Sequence, residues 1–185
     1  MQITGGKNRG QKIKPVNNPA IRPSKAVVRE ALFSILGPEY CRAKHVADFF
    51  SGSGIMTLEA LSRGAETACS VDSDPLSCAL IRENFALLKV PDNARLLQMS
   101  VTQAIIKLAA LNLHFDIIFL DPPYHLPQLG IDAIDQSVAA GIVSPDAIVI
   151  FEHRTKTQIP ECNSMELWKQ KKYGQSMLSF YLLPH

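Results

Sequence analysis

The sequence predicts an α/β fold, a mostly parallel sheet with helices on both faces. Two observations carry that expectation. From residue 45 onward, apolar runs of strand length alternate with longer stretches of helical periodicity. Several of those runs end in an acid, a glycine turn or a proline, as strands do where they reach the rim of a sheet. A βαβα order with short connections requires parallel pairing, because each crossover helix returns the chain to the same end of the sheet.

The elements follow in order. "MQITGGKNRGQKIKP" reads as two short strands around glycines, a hairpin. "RPSKAVVREALFSILG" reads as a helix with Ser24 as N-cap after Pro23 and an apolar face of Val28, Ala31, Leu32, Ile35 and Leu36. Gly37-Pro38 stops it, and Arg22, Lys25 and Arg29 are expected on its opening turns and outer side. HVADFF, TACSVD, ARLLQM, FDIIFL and AIVIFE read as buried strands. IMTLEALSR, PLSCALIRENFALL, VTQAIIKLAAL and the segment from Leu129 to Ala140 read as the helices between them. Asp74-Pro75 supplies an N-cap and a first-turn proline. MELWKQKKY and MLSFYLL flank "GQS" and read as a terminal antiparallel hairpin. The expected architecture is a mostly parallel seven-stranded sheet, with a small hairpin and helix extension at the N-terminus. The expected division is a basic hairpin arm over 1–23 and a main domain over 24–185.

At 185 residues, 46% apolar and 19% charged, the composition is that of a globular domain with a real core. The apolar runs are too short to cross a bilayer, and the first residues lack the apolar stretch of a secretory signal. Cys41, Cys69, Cys78 and Cys162 form no CxxC pair, which points to reduced thiols in a cytoplasmic protein and away from zinc. The net charge of +2 conceals an asymmetry: residues 1–45 carry +7, residues 46–153 carry −8 and residues 154–185 carry +3. A basic arm on an acidic body suggests a polyanionic partner, most often nucleic acid.

In "VADFFSGSGIMTLEALSRGA" a strand ends in Asp48, and a turn containing Gly52 and Gly54 opens a helix. Such glycines let the backbone approach a ligand, and the helix start offers free N–H groups. A second strand ends in Asp72, where a carboxylate can accept ribose hydroxyls. Together these read as a nucleoside-cofactor signature. The dinucleotide fingerprint is incomplete, since Thr57 stands where its third glycine would fall, and there is no P-loop.

"FLDPPYHLP" places a carboxylate at the end of an apolar run, then two prolines and an aromatic ring. Adjacent prolines end the strand at Asp121 and hold the backbone fixed. An exocyclic amine on a nucleobase is a poor nucleophile, because its lone pair is delocalised into the ring. Asp121 and the Pro122 carbonyl can accept its two N–H bonds and so localise that lone pair. Pro123 stiffens the turn, and Tyr124 offers a stacking face. The matching electrophile is a sulfonium methyl group.

A D/N-P-P-Y/F motif after the fourth strand resembles that of S-adenosylmethionine-dependent amino-methyltransferases acting on bases. The chain as a whole is similar to the RsmD family, bacterial methyltransferases of guanine N2 in 16S ribosomal RNA. "ITGGKNRGQKIK", "RPSKAVVREALFSIL", "DFFSGSGIMTLEALSRGA", "VDSD", "FLDPPY" and "YGQSMLSFY" carry the similarity. The resemblance implies a class I methyltransferase (Rossmann-like) fold, S-adenosylmethionine as cofactor, and 16S rRNA or a small-subunit particle as partner. A monomer is expected, without metal or membrane. It further implies that Asp48, Ser51, Gly52 and Gly54 line the methionine side of the cofactor. Asp72 would bind its ribose, and Ser100 with Val101 would flank its adenine. Asp121, Pro122, Pro123 and Tyr124 would hold the target base. Arg22, Pro23 and Ser24 would lie close to the site. Ser24 and Ser100 depart from the family, which more often has threonine at the first position and an acid or amide at the second. Lys7, Arg9, Lys12, Arg22, Lys25 and Arg29 are the expected phosphate contacts.

Glu152 and His153 end the fifth strand at the same edge and are read as support for the site. His125 reads as polar surface, Trp168 as packing and Cys78 as core. The clamp recognises an amine and not one ring, so adenine-N6 methylation is the alternative reading. A dinucleotide oxidoreductase and a catalytically silent RNA-binding protein fit the motifs less well.

Overall fold

The computed structural model describes residues 1–15 and 26–184. Helix α1 spans Ala26–Leu36. Then follow β1 (His45–Phe49), α2 (Ile55–Ser62), β2 (Thr67–Asp72), α3 (Pro75–Leu87), β3 (Ala94–Gln98), α4 (Val101–Ala110) and β4 (Phe115–Leu120). The chain ends with α5 (Gln128–Ala139), β5 (Val143–Arg154), β6 (Glu166–Tyr173) and β7 (Ser176–Leu182). The strands form one seven-stranded sheet in the order β3-β2-β1-β4-β5-β7-β6, with β7 antiparallel to both its neighbours.

Two apolar layers sandwich the sheet. Alternate residues of β4 and β5 (Ile117, Phe119, Ile148, Ile150) pack against α1 and α2 on one face, and Ile3 and Ile13 of the N-terminal segment join this layer. The intervening residues (Ile118, Leu120, Val149, Phe151) meet α4 and α5 on the other face. Residues 1–15 form a hairpin with a Gln2–Lys12 bridge, and its inward isoleucines have no core separate from the sheet's. The boundary expected at 23/24 lies outside the described residues.

Strand β5 begins earlier than expected, at Val143. Its first residues reach Phe115 across a register shift between Phe115 and Ile117, a pairing set by the neighbouring strand. The strand order reverses direction between β1 and β4, and at that switch point open α/β sheets place their ligands.

Candidate active site

The chain leaves β1 through a turn in which Phe50, Gly52 and Gly54 all adopt left-handed backbone, with φ of 63°, 56° and 74°. Glycine takes this conformation without penalty; Phe50 does not, and its strain sits at the mouth of the turn. The turn is pinned from several sides. Asp72 Oδ2 accepts the Gly52 N–H at 2.8 Å, while its Oδ1 accepts the Asp74 N–H at 2.9 Å. Ser51 is stitched to β2: its N–H donates to the Val71 carbonyl at 3.0 Å, and its hydroxyl accepts the Val71 N–H at 2.9 Å. That hydroxyl also donates to the Asp48 carbonyl, so Ser51 shapes the turn. Asn84 of α3, fully buried, donates to Ser53 O at 3.0 Å.

Thr57 has a positive use that its reading as a missing glycine did not reveal. Its N–H and hydroxyl both donate to Asp48 Oδ2, at 3.2 and 3.0 Å, and the hydroxyl lies 2.6 Å from that of Ser70. Burial pushes the Asp48 carboxyl up to about 7, against the Thr57 bonds that pull it down. Burial also raises Asp72, opposed by the amide bonds from Asp74 and Gly52. A carboxyl whose folded pKa exceeds its unfolded value of 3.8 binds more protons when folded. Its stabilising contribution is therefore complete below 3.8 and is lost as pH rises through about 7. Asp48→Asn is expected to remove a stability slope of up to about 1.4 kcal/mol per pH unit across that window. Urea titrations of both proteins over a pH series check this, and an unchanged slope in the variant would place the titration elsewhere.

Two clefts flank this turn. One, with about 590 Å³ of open space, lies at the carboxyl ends of β2 and β3; Phe50, Asp72, Ser100, Val101, Leu129 and Ala133 line it. Two acids, Asp72 and Asp132, stand among apolar, aromatic and hydroxyl-bearing walls, a lining that can take both the ribose and the base of an adenosine. Ser100 is the N-cap of α4, in a reciprocal bond pair with Gln103. Phe50 and the α5 residues Leu129 and Ala133 are additions that the motifs did not disclose.

The other cleft lies across the switch point, under α1; Arg29, Asp48, Met56, Asp121 and Glu152 are among its lining. Asp121 follows the last residue of β4, and its N–H reaches the Phe49 carbonyl at 3.4 Å. Pro122 is buried, Pro123 exposed and Tyr124 half-buried. The Arg154 guanidinium sits 4.9 Å from the centre of the Tyr124 ring. Thus Asp48 and Asp121, 73 positions apart in the sequence, are brought to one cavity.

Arg29 corrects an expectation. It is 2% exposed and faces inward from α1, so it makes no surface phosphate contact. Its Nη2 donates to Gln2 O at 2.9 Å, and its Nε lies 3.5 Å from Glu59 Oε1. Glu59 is wholly buried in α2; it accepts the Thr4 N–H at 2.7 Å and pairs with Arg63 at 3.4 Å. This triad bolts the hairpin to the domain, and Asn84 adds a second bolt by bonding both the N–H and the carbonyl of Lys14. Lys7, Arg9 and Lys12 are exposed on the hairpin. Arg22, Pro23, Ser24 and Lys25 lie outside the described residues.

His153 turns to the opposite face from Glu152, where its ring meets the Ser179 hydroxyl at 2.8 Å and Phe151. Trp168 is 53% exposed, and its ring meets the buried Phe180 edge-on with centroids 6.2 Å apart, so it packs on one side as expected. Cys78 is core, and its thiol donates to Asp72 O. Among the described residues no group of three or more His, Cys, Asp or Glu is placed to hold a metal, and no helix is long and apolar enough to cross a membrane.

The family model described as Conserved hypothetical protein 95 matches residues 1–182. Ribosomal RNA small subunit methyltransferase D of Escherichia coli (strain K12) is 31% identical over 182 residues, 98% of this chain and 89% of that protein. The chain belongs to the RsmD family. Among solved structures, a hypothetical protein of Thermus thermophilus superimposes on this RsmD-family chain with a TM-score of 0.83 at 29% identity. The match covers 99% of each chain. A Streptococcus mutans protein described as a putative SAM-dependent methyltransferase matches with a TM-score of 0.70 at 18% identity, over 88% of this chain and 50% of that one, a likeness of fold. The RsmD-family chain has the class I methyltransferase fold that its motifs imply.

Proposed function

We propose that this RsmD-family protein transfers a methyl group from S-adenosylmethionine to the exocyclic N2 amine of one guanine in 16S ribosomal RNA, acting as a cytoplasmic monomer. The observation that carries the reading is that Asp121, which opens the Pro122-Pro123-Tyr124 segment at the switch point, shares one cavity with Asp48 of the strand that leads into the glycine turn. The name of the E. coli relative supports the RNA class.

In this reading the cofactor supplies a methyl carbon on a sulfonium. Asp72 binds its ribose, Phe50 and Val101 bracket its adenine, and the turn from Asp48 to Gly54 holds its methionine end. Asp121 accepts one N–H of the amine and the Pro122 carbonyl the other, turning the nitrogen lone pair toward the methyl carbon. Once the nitrogen carries the methyl group and a positive charge, it sheds one proton to the Asp121 carboxylate. Tyr124 stacks on the base and excludes water from its face. Such a base must be unstacked, so the target lies in a loop or is extruded from its helix.

Nucleoside mass mapping of 16S rRNA from a strain lacking the protein tests the proposal. The expected result is the loss of one N2-methylguanosine, restored by adding back the wild-type protein. Loss of an N6-methyladenosine in its place would turn the assignment to the adenine reading, and an unchanged map would sink both.

A further inference from the structure

The reaction uses Asp121 and the Pro122 carbonyl for the two hydrogens of the amine, which leaves the neighbouring ring position of the base without an acceptor. Glu152 lies beside Asp121, at the end of the neighbouring strand β5. Leu120 of β4 pairs with Phe151 of β5, so the next residues on the two strands, Asp121 and Glu152, emerge side by side on the face covered by α1. Both line the cleft that also contains Asp48. Glu152 is only 9% exposed, and a carboxylate is costly to bury. Arg29, from the same cleft wall, provides a nearby positive charge that interacts with Glu152 as well as Glu59.

We infer that Glu152 is a specificity-determining residue that accepts the N1–H of the target guanine. The inference rests on the guanine-N2 reading. Guanine presents two adjacent donors along this edge, the N2 amine and N1–H, and two adjacent carboxylates complement them. Adenine and 2-aminopurine present an unprotonated N1, whose lone pair would face the Glu152 carboxylate with no hydrogen between them. A site built around a hydrogen bond to one substrate group rejects the analogue lacking it far more strongly than an apolar pocket rejects a missing methylene. Glu152 thereby supplies what the amine clamp lacks, a distinction between rings.

The test uses small-subunit particles reconstituted with 16S rRNA that carries either guanosine or 2-aminopurine at the mapped target. Wild type is expected to favour guanosine in kcat/KM by about 100-fold or more. Glu152→Gln, whose amide can donate as well as accept, is expected to bring that preference within about 10-fold while S-adenosylmethionine affinity stays the same. Glu152→Asp, which keeps the charge beside Arg29, should lose rate on guanosine and still refuse 2-aminopurine. An unchanged guanosine preference in Glu152→Gln, even with both rates lowered, would overturn the inference and leave Glu152 a structural partner of Arg29. A wild-type enzyme that methylates adenosine at the target and ignores guanosine would overturn the guanine reading itself, and the inference with it.

Discussion

Asp121→Ala is expected to lower methyl transfer by about 10²–10³-fold or more, the range seen when one preorganised polar group is removed from a reacting centre. Cofactor affinity is expected to stay within a few-fold of wild type. The reason is positional. Asp121 lines the cleft under α1, where it shares only Asp48 with the proposed cofactor residues, whereas Asp72 and Val101, proposed for the ribose and adenine, line the separate cleft at β2 and β3. Its backbone is held by the Phe49 carbonyl and fixed by two prolines, so truncation removes the acceptor and leaves the frame. Single-turnover methyl transfer beside a cofactor titration separates the two effects. A variant with near-normal kcat would show that the amine is activated elsewhere. Tyr124 supplies a face and not a proton acceptor. Its change to alanine should cost about 1–3 kcal/mol of base stacking, and its change to phenylalanine little.

Reversing the charges of Lys7, Arg9 and Lys12 is expected to produce the largest change in RNA affinity. The body between residues 46 and 153 carries −8 and would by itself repel a polyanion. The hairpin buries Ile3 and Ile13 against the sheet and turns these three cations to solvent. Lys14, close by, is already paired with Glu83 at 2.9 Å. Every phosphate that is no longer neutralised should take about 0.7 from the log–log salt slope on single-stranded RNA, so the triple variant should flatten it by about 2. The hairpin's bolts are Glu59, Arg29, Arg63 and Asn84, none of which is altered, so thermal stabilisation by cofactor should persist. Salt titrations of RNA binding for the two proteins check this. Equal slopes would mean that the RNA is gripped elsewhere, with Arg154, Lys156, Lys169, Lys171 and Lys172 the next positions to test.

The parallel sheet was legible because its strands are short apolar runs whose ends are marked by acids, glycines and prolines. The placement of the candidate site was legible where one segment carries the motif: Asp121 follows β4 at the switch point, and the glycine turn opens α2. What escaped depends on residues distant in sequence. Arg29 lies next to an apolar helix face and reads as solvent-facing until Glu59, far along the chain, is seen to be its buried partner. Thr57 reads as a defect in a fingerprint until its two bonds to Asp48 are drawn. Phe50 reads as the last residue of a strand, and only its left-handed backbone shows that it forms the corner of the cleft. Val143–Asp146 look like a loop because the pairing that makes them strand comes from Phe115 across a register shift.

Among the described residues the sheet order leaves β6 with one flank unpaired, and on that strand Leu167 and Trp168 are exposed. An open strand edge bearing large apolar side chains is a template for aggregation. Here the same strand carries Lys169, Lys171 and Lys172, so a second molecule approaching edge to edge would bring ammonium groups against ammonium groups and lose a strand's hydrogen bonding to repulsion. The lysines of β6 thus act as gatekeepers of colloidal solubility, a role independent of any base or cofactor and one that weakens as salt screens them.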